Sequence, residues 1–302
     1  MIVIGSRGSQ LALWQSRWVE SQLTGFGQQC RIEIIKTTGD RVTDVPLAKV
    51  GGKGLFTKEI EDALLAGAVD VAVHSLKDMP TELPAGLTLQ AVPAREDVRD
   101  AMVGSTLNGL AQGARVGTSS LRRSAQLRAA RPDLVIETIR GNLDTRLRKL
   151  DEGQFDAIVL AAAGLRRLGG AGRIAELLPV EVCCPAVGQG ALAIETRDDD
   201  GAGATVCRKL NDPATRAAVT AERALLGGLG GGCQVPIGAY AVVADGRLAM
   251  RGVVASPDGG TIVRGEREGL ADDAARIGED LGSELLANGA RAILSAVYGH
   301  AV

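Results

Sequence analysis

The sequence predicts two α/β modules with mainly parallel sheets, followed by a smaller α+β domain at the C-terminus. Strand-like and helix-like segments alternate through the first two-thirds of the 302 residues, which is the pattern of βαβ units. Near residue 212 this pattern gives way to an Ala-rich helix and three strand-like segments separated by turn residues. The expected domains are residues 1–94 plus 190–208, residues 95–187 and residues 213–302.

The first module opens with a strand at Ile2–Ile4 and a helix that Ser9 can cap through its hydroxyl oxygen. Leu11, Trp14 and Trp18 mark the apolar face expected for that helix. The next expected elements are a strand in CRIEIIK, a helix with Phe56, Ile60 and Leu64 on one face that ends at Gly67, and a strand in VDVAVHSL.

The same plan restarts after Pro93. Its elements are a strand, tight loop and helix in ARVGTSSLRRSAQLRAA, a repeat in LVIETIRGNLDTRLRKLDEG, and an apolar strand in FDAIVLAAAG. A late strand at Ala191–Thr196 is expected to return to the first module. The C-terminal domain has a helix in DPATRAAVTAERALLGGL, strands in GAYAVVAD, GRLAMRGVVAS and GTIVRGERE, and an amphipathic helix over Asp272–Ala287.

Composition argues against several classes of protein. Five cysteines without a C-x-x-C pair do not suit a disulfide framework, and two histidines do not suit a structural zinc site. No signal-peptide pattern precedes the first strand, and the longest apolar run, near Ala157–Leu165, is too short to span a bilayer. We therefore expect a cytoplasmic protein without membrane contact. A net charge of −2 and 2% aromatic residues argue against nucleic-acid binding.

Positive charge is concentrated in the second module. Between Arg115 and Arg173, eleven arginines and one lysine accompany six carboxylates, so this segment carries +6 while the whole chain carries −2. The planar guanidinium group suits bidentate binding of carboxylates or phosphates. For any single arginine, a solvated surface position is the simpler interpretation.

The segment GTSSLRR places small residues between a strand and a helix. Free backbone N–H groups at a helix start favour a bound anion, and Thr118, Ser119 and Ser120 add hydroxyl donors. Arg122 and Arg123 follow in the first helical turn. These features predict an anion site, although an ordinary serine cap with surface arginines is the simpler alternative.

A second cationic segment, IRGNLDTRLRK, has Arg140 at a strand end and Arg146 in the next helix. The carboxyl ends of parallel strands line one crevice, so we expect these arginines to lie near Arg122 and Arg123. Clustered cations need counter-charges when they are desolvated, because an unpaired buried charge costs about 3–5 kcal/mol. A ligand with several carboxylates or phosphates would supply them.

Lys77 and Asp78 follow the strand in VDVAVHSL. A loop salt bridge is one interpretation, and a Schiff-base role for Lys77 is another, although no other feature indicates pyridoxal phosphate. A carboxylate in a cleft rich in arginine remains ionised. Asp78 is therefore a candidate to stabilise a cationic intermediate, by about 4 kcal/mol at 4 Å and an effective dielectric constant of 20. That stabilisation corresponds to roughly a thousandfold in rate.

The glycine- and lysine-rich segment KVGGKGLFTKE lacks the phosphate-loop pattern G-x-x-x-x-G-K-[ST]. Its glycines give the backbone freedom that a moving segment needs. We interpret it as a mobile basic lid that carries Lys49, Lys53 and Phe56.

Cys233 lies in the glycine-rich segment GGLGGGCQVPIG, which leaves its sulfur little side-chain cover. The residue types alone allow a spare thiol, half of a disulfide, a metal ligand, a nucleophile or an attachment point. A cysteine hydrolase would need a base, and the sequence places none near Cys233. The other cysteines lie in or beside apolar segments and fit buried, inert thiols: Cys30, Cys183, Cys184 and Cys207.

Seven segments, in order from about residue 5 to residue 238, closely resemble the porphobilinogen deaminase family, also called hydroxymethylbilane synthases. They are GSRGSQLALWQ, PLAKVGGKGLFTKE, VHSLKDMPTELP, VGTSSLRRSAQL, RGNLDTRLRKLDEGQFDAIVLAAAGLRRL, PAVGQGALAIE and ERALLGGLGGGCQVPIG. Gly227, Gly228 and Gly230 depart from the family, whose members carry bulkier or charged residues there. That departure suggests a looser segment entering the Cys233 loop.

The resemblance implies three domains. Domains 1 and 2 would look like the two lobes of a type II periplasmic binding protein with a central cleft, and domain 3 would present Cys233. Cys233 would carry a dipyrromethane cofactor through a thioether. The implied activity is head-to-tail joining of four porphobilinogen molecules onto this primer, with loss of ammonia, then hydrolysis to hydroxymethylbilane. The family implies a transferase of haem biosynthesis that is monomeric and holds no metal.

Residue roles follow from the same motif matches. Asp78 matches the family's catalytic aspartate, which would hold pyrrole N–H groups and help to move protons. Carboxylates of cofactor and substrate would be bound by Arg7, Ser9, Lys77, Thr118, Ser119, Ser120, Arg122, Arg123, Arg140, Arg146, Arg167 and Gln189. The alternative is a cytosolic two-lobed organic-anion binding protein, which would not need Cys233.

Overall fold

The computed structural model describes residues 1–41, 54–231 and 235–299. The contact pattern separates two compact units, which are Met1–Arg95 with Ala191–Arg216, and Glu96–Gly190 with Ala217–Val302. The further division of the second unit into residues 95–187 and 213–302 stays a prediction.

The first unit contains a five-stranded sheet. Its strands are β1 (Ile2–Ser6), β2 (Cys30–Ile34), β3 (Val71–Ser75), β4 (Leu87–Ala91) and β10 (Leu192–Arg197). Their order is β2-β1-β3-β10-β4. β1 is parallel to β2 and β3, whereas β10 is antiparallel to β3 and β4. The late strand thus returns to the first sheet as predicted, while β4 is an element that the sequence pattern did not reveal.

Three helices cover the faces of this sheet, namely α1 (Gln10–Gly25), α3 (Lys58–Leu65) and α7 (Ala202–Cys207), and a short helix, α2 (Thr38–Arg41), follows β2 in the chain. Side chains alternate along a strand, so Val71 and Val73 share a core with α1. Ala72, which lies between them, packs against Ile60 and Leu64 of α3 on the other face.

The buried stripe of α1 differs from the predicted one. The predicted Leu11, Trp14 and Trp18 are only partly buried. The fully buried residues of α1 are Ala12, Gln15, Ser16, Val19 and Leu23. Small and polar side chains fit here because α1 also bonds to the sheet, with Gln15 Nε2 donating to Ser75 Oγ at 2.8 Å.

The second unit contains a sheet of the same plan. Its strands are β5 (Asp100–Val103), β6 (Arg115–Gly117), β7 (Val135–Glu137), β8 (Ala157–Ala161) and β9 (Ile174–Leu177). Their order is β7-β6-β8-β5-β9, with β6 parallel to β7 and β8, and β5 antiparallel to β8 and β9. The helices that accompany it are α4 (Leu121–Ala130), α5 (Leu143–Asp151) and α6 (Ala162–Arg167).

The C-terminal part of the second unit is an antiparallel sheet with helices. Its elements are α8 (Pro213–Gly228), β11 (Ile237–Ala244), β12 (Arg247–Ala255), β13 (Ile262–Leu270), α9 (Ala274–Leu285) and α10 (Arg291–Tyr298). Leu225, Leu281 and Leu285 from the helices share one core with the strands. The predicted fold class is confirmed, because two five-stranded α/β sheets are followed by a smaller α+β part with a three-stranded sheet.

Candidate functional site

Four predicted site residues of the first unit follow neighbouring strands. β1 and β3 pair in parallel. Arg7 and Ser9 follow β1, while Lys77 and Asp78 follow β3. Because the carboxyl ends of parallel strands meet at one edge of a sheet, the fold brings both pairs to the same edge.

Arg7 and Ser9 have partners within the protein. The Arg7 guanidinium carbon lies 4.1 Å from the centroid of the Phe56 ring, a cation–π contact. The Ser9 hydroxyl accepts a hydrogen bond of 3.3 Å from a backbone N–H in the first turn of α1, so the predicted cap is confirmed. Lys49 and Lys53, which were predicted in the lid with Phe56, lie outside the described residues.

Asp78 ends a short 3₁₀ turn, Leu76–Asp78, directly after β3. Leu76 is buried, and its N–H donates to the Ala191 carbonyl at 3.1 Å, which fixes the turn to the sheet. The Asp78 side chain is partly exposed, and no residue in the described ranges forms a hydrogen bond or ion pair with its carboxylate. A carboxylate held in this way is available to the N–H groups of a ligand.

The three hydroxyl residues after β6 are bound within their own unit. The Thr118 oxygen accepts from the Ser120 N–H at 3.2 Å, and the Ser120 oxygen accepts from the Arg123 N–H at 3.4 Å. Ser120 thereby caps α4. The Ser119 hydroxyl donates to the Ile139 carbonyl. A direct role for these hydroxyls in binding a ligand stays a prediction.

Asp100, at the start of β5, organises the two buried arginines of α4. Its carboxylate is fully buried. Oδ2 accepts from Arg122 Nη1 at 2.6 Å, and Oδ1 accepts from Arg123 Nε and Nη2 at 2.9 and 2.7 Å. Gln189 Nε2 also donates to Oδ1, at 2.8 Å. Burial alone would raise the pKa of Asp100, but the two guanidinium groups hold it well below its usual range.

The sequence predicted that Arg122 and Arg123 belong to one cluster, and the family resemblance added Gln189 to the binding residues, but neither indicated Asp100, which contacts all three. Part of the counter-charge that the pattern assigned to a ligand is therefore internal. One carboxylate faces two guanidinium groups, so the cluster retains positive charge. An acidic residue that opens an otherwise apolar strand is the signal that could have found it, because a buried carboxylate needs a partner.

Arg140 and Arg146 lie at the end of β7 and in α5. Arg146 Nε donates to the Gly141 carbonyl at 2.8 Å, and Gly141 has the positive φ of 109° that glycine tolerates. Burial, together with the positive charges of Arg123 and Arg140, lowers the pKa of Arg146 to about 10. Arg123 and Arg140 thus lie close enough to Arg146 for their charges to act on it, as expected from the sequence.

Arg167 ends α6, the helix that follows β8. Its Nη2 donates to the Gly190 carbonyl at 2.7 Å. Burial lowers the pKa of Arg167, and the charge of Glu96 opposes this shift. Arg167 therefore has internal contacts, as Arg122 and Arg123 do, and a role in ligand binding stays a prediction.

The cysteines in the described part of the chain are free thiols: Cys30, Cys183, Cys184 and Cys207. Burial raises the pKa of Cys184 and that of Cys207 to about 12, so neither forms a thiolate readily. Cys233 lies outside the described residues. The described residues include no cluster of three or more side chains suited to a metal ion. They also include no helix with the length and apolarity needed to cross a membrane.

Two family models match the chain. Residues 2–204 match "Porphobilinogen deaminase, dipyromethane cofactor binding domain", and residues 216–287 match "Porphobilinogen deaminase, C-terminal domain". The porphobilinogen deaminase of Syntrophobacter fumaroxidans is 54% identical over 99% of this chain and 98% of its own length. That of Thiobacillus denitrificans is 52% identical over 98% of each chain.

Solved structures give weaker similarity. A periplasmic substrate-binding protein of an ABC transporter from Coxiella burnetii is 12% identical, with a TM-score of 0.43. The match covers 74% of this chain and 97% of that one. A similarity at this level determines neither fold nor function.

Proposed function

Because the chain belongs to the porphobilinogen deaminase family and contains its dipyrromethane cofactor-binding domain, we propose that it is a transferase of tetrapyrrole biosynthesis. It joins four porphobilinogen molecules head to tail onto the dipyrromethane primer and releases one ammonia for each. Water then cleaves the bond between the primer and the four added units, which frees hydroxymethylbilane and leaves the primer on the protein. Each porphobilinogen carries an acetate and a propionate group. The protein must therefore neutralise many carboxylates.

The arginine cluster around Arg146 carries this proposal. Arg146 is half-buried beside Arg123 and Arg140, and no carboxylate within the described ranges forms an ion pair with it. Like charges in a partly desolvated place are unfavourable without counter-charges. A dipyrromethane with acetate and propionate side chains supplies such counter-charges, so the residues present fit the cofactor.

The bound dipyrromethane supplies the pyrrole carbon from which the product chain is extended. The protein residues bind and orient carboxylates around it. We propose that Asp100 holds Arg122 and Arg123 in fixed positions, so that little side-chain entropy is lost on binding. The remaining binding residues in this proposal are Arg7, Ser9, Lys77, Thr118, Ser119, Ser120, Arg140, Arg146, Arg167 and Gln189.

Asp78 is proposed as the catalytic carboxylate. Its oxygens accept hydrogen bonds from pyrrole N–H groups and stabilise positive charge that develops when ammonia leaves. At 4 Å and an effective dielectric constant of 20, this charge stabilisation amounts to about 4 kcal/mol. The fixed turn Leu76–Asp78 supports the assignment because it holds the carboxylate in place.

Cys233 is proposed as the attachment point of the cofactor, through a thioether bond. The buried cysteines support this assignment because they are poor alternatives as attachment points. Burial raises the pKa of Cys183, Cys184 and Cys207, so these thiols do not readily form the reactive thiolate. We further propose a monomeric protein of the cytoplasm, where thiols such as these stay reduced. Light scattering on a sizing column tests the monomer.

The substitution Asp78→Asn tests the catalytic assignment because it removes the charge and keeps the shape. We expect porphobilinogen to bind as before, while ammonia release falls roughly a thousandfold. Glu82→Gln is the matched control, since Glu82 is an exposed carboxylate four residues further along, and it should leave the rate unchanged. Normal ammonia release by Asp78→Asn would remove Asp78 from the chemistry. Binding without any ammonia release by the wild-type protein would instead favour an organic-anion binding protein.

A further inference from the structure

A buried polar cluster lies in the first unit, on the sheet face that α3 covers. Its members are His74 on β3, Glu195 on β10 and Glu61 on α3, which are 5%, 0% and 5% exposed. His74 Nε2 lies 3.0 Å from Glu195 Oε2. The proposed reaction uses none of these three ionisable groups.

The strand register explains why these residues meet. In the antiparallel pair of β3 and β10, His74 is opposite Ala193, and Glu195 is opposite Ala72. His74 and Glu195 are therefore diagonal neighbours on one face of the sheet. Ala72 on that face packs against α3, and Glu61 of α3 is close enough for both charges to act on it.

Two buried carboxylate oxygens of this region, Oε1 of Glu61 and Oε1 of Glu195, have no hydrogen-bond partner among the described residues. Two ionised carboxylates beside one imidazolium would leave a net negative charge in an apolar core, which is unfavourable. A proton on Glu61 removes that charge and turns one Glu61 oxygen into a donor. The cluster is then neutral whether its second proton sits on His74 or on Glu195.

We propose that Glu61, His74 and Glu195 form a neutral proton-sharing triad, in which Glu61 keeps its proton in the folded protein and thereby docks α3 onto the sheet. Burial raises the pKa of Glu61, and the negative charge of Glu195 raises it further, while Thr57 and His74 oppose the shift. The buried position of Glu61 and the charge balance of the cluster thus both favour the protonated form of Glu61.

Other elements that pack against α3 do not change this balance. β1 and β4 carry no ionisable side chain. On β10, Arg197 donates to the Leu64 carbonyl at the far end of α3. On α3 itself, Asp62 adds negative charge near Glu61, but it is paired with Lys58 at 2.8 Å. His74 and Glu195 are therefore the ionisable groups that face Glu61 from the sheet.

The triad connects two parts of the candidate site. α3 begins two residues after Phe56, whose ring lies against Arg7. β3, which holds His74, leads directly into the turn of Asp78. Glu61 and His74 are thus positioning residues, and ionisation of Glu61 should loosen both connections. This effect on turnover rests on the proposed function, whereas the proton on Glu61 does not.

Carboxyl-carbon NMR of protein labelled with ¹³C-glutamate tests the proton directly. Glu61 is assigned as the signal that disappears in Glu61→Gln. As pH rises through about 4.3, the ordinary pKa of a glutamate, we expect the Glu61 signal to keep the position of a carboxylic acid after the signals of exposed glutamates have moved to the carboxylate position. A Glu61 signal that moves together with those of the exposed glutamates would overturn the triad.

Stability against pH gives an independent test. The pKa of Glu61 is higher in the folded protein than in the unfolded chain. Glu61 therefore contributes fully to the free energy of unfolding at pH values below its unfolded pKa, and this contribution is lost as pH rises through its folded pKa. Glu61→Gln imitates the protonated form and keeps the contribution. We therefore expect its urea midpoint, relative to wild type, to rise with pH from about 4.3 upward. Both tryptophans of the chain, Trp14 and Trp18, lie in α1, so their fluorescence reports unfolding of this unit.

Glu59→Gln is the matched control on the same helix. Burial favours a higher pKa for Glu59, but hydrogen bonds from Thr38 outweigh it, so its pKa is lowered. Glu59 therefore contributes fully to the free energy of unfolding above the unfolded pKa, and this contribution is lost as pH falls through the lowered folded pKa. The midpoint of Glu59→Gln relative to wild type should fall as pH rises toward about 4.3 and stay constant above it. A midpoint difference for Glu61→Gln that stays constant with pH, or follows that of Glu59→Gln, would contradict the proposal.

The link to turnover is tested by the pH profile of kcat/KM for porphobilinogen. We expect the wild-type value to fall on the alkaline side as Glu61 ionises, and Glu61→Gln to lose that fall. Identical profiles would overturn the positioning role. A wild-type protein that releases no ammonia would overturn the proposed function instead, while the NMR signal would still decide the triad.

Discussion

Asp100 accepts hydrogen bonds from Arg122, Arg123 and Gln189 inside the second unit. Asp100→Asn keeps the shape of this residue but leaves two buried guanidinium groups without a counter-charge. We expect the free energy of unfolding at pH 7 to fall by about 3–5 kcal/mol, as measured by urea denaturation.

The control for this prediction is Glu96→Gln. Glu96 pairs with Arg166 at 3.2 Å, and both side chains are more than a third exposed, so its loss should cost at most about 1 kcal/mol. The lowered pKa of Asp100 adds a pH test. Asp100 contributes fully to the free energy of unfolding above its unfolded pKa of about 3.9, and this contribution should diminish only as pH falls below that value. Equal stability losses for both variants would show that Asp100 is not the organising group.

Arg146 is predicted to serve binding rather than stability. It is half-buried, repelled by its arginine neighbours and paired with no carboxylate in the described part of the chain. We expect Arg146→Leu to leave the free energy of unfolding unchanged or higher and to raise the KM for porphobilinogen. A charged hydrogen bond contributes about 1.5–3 kcal/mol, so the rise in KM should be roughly 10- to 100-fold.

Arg148→Leu, on the same helix, provides the comparison for that measurement. Arg148 is exposed and lies 3.5 Å from Glu152, so its loss should change neither the KM nor the stability by much. A large stability loss in Arg146→Leu with an unchanged KM would contradict the binding role.

The sequence predicted hydrogen bonds between residues close in the chain better than it predicted contacts between residues far apart. The cap at Ser9 followed from local hydrogen-bonding rules, and the serine cap considered as an alternative for GTSSLRR is observed at Ser120. The carboxylate between Arg122 and Arg123 did not follow from such rules, because Asp100 is 22 residues away from the nearer arginine and meets it only through sheet pairing.

At the level of elements, the end of α8 shows what the glycines before the Cys233 loop do. The Gly231 N–H donates to the Leu226 carbonyl at 2.8 Å, and the Gly230 N–H donates to the Gly227 carbonyl at 3.0 Å. Gly230 has a φ of 87°, so this is a Schellman motif with glycine at the left-handed position. Gly230 thus ends the helix in a defined way, rather than only loosening the segment.

A pair of substitutions tests this helix end. A methyl group at Gly227 meets no atom within 4 Å, and alanine is the better helix former, so Gly227→Ala should stabilise the protein by about 0.5–1 kcal/mol. Gly230→Ala should destabilise it by about 1 kcal/mol, because alanine resists a positive φ. Thermal unfolding measures both changes, and shifts in the same direction would contradict the assigned helix end.

Elements with a strong pattern were predictable, and those defined by distant partners were not. The amphipathic helix expected over Asp272–Ala287 is observed as Ala274–Leu285. The chain then continues through a turn with Gly289 at a φ of 110° into α10, which the sequence did not reveal. The strand β4 was also missed, because pairing with β10 rather than local alternation defines it.

At the scale of the whole molecule, the two five-stranded sheets share one plan: three parallel strands, then an antiparallel strand, then an edge strand. In the first unit the antiparallel strand β10 comes from residues 192–197, far along the chain. The βαβ alternation therefore predicted the parallel strands well. The order of the outer strands depends on long-range pairing, which local sequence does not encode.

The family assignment also makes a prediction for stability. A thioether keeps the dipyrromethane on the unfolded chain, but its carboxylates can form charged hydrogen bonds with the arginines only in the folded state, and these bonds add to the free energy of unfolding. Protein that carries the dipyrromethane should therefore unfold at a higher temperature than the Cys233→Ala variant. Equal unfolding temperatures would indicate that the cofactor is not held by the folded protein.

The most direct test of the central claim is the intact mass of the purified protein. The wild-type chain should exceed its sequence mass of 31.2 kDa by two linked pyrrole units, and brief exposure to porphobilinogen should add further pyrrole units. The Cys233→Ala variant should show the sequence mass alone. A catalytically active wild-type protein at its unmodified sequence mass would contradict the claim that Cys233 holds a dipyrromethane primer.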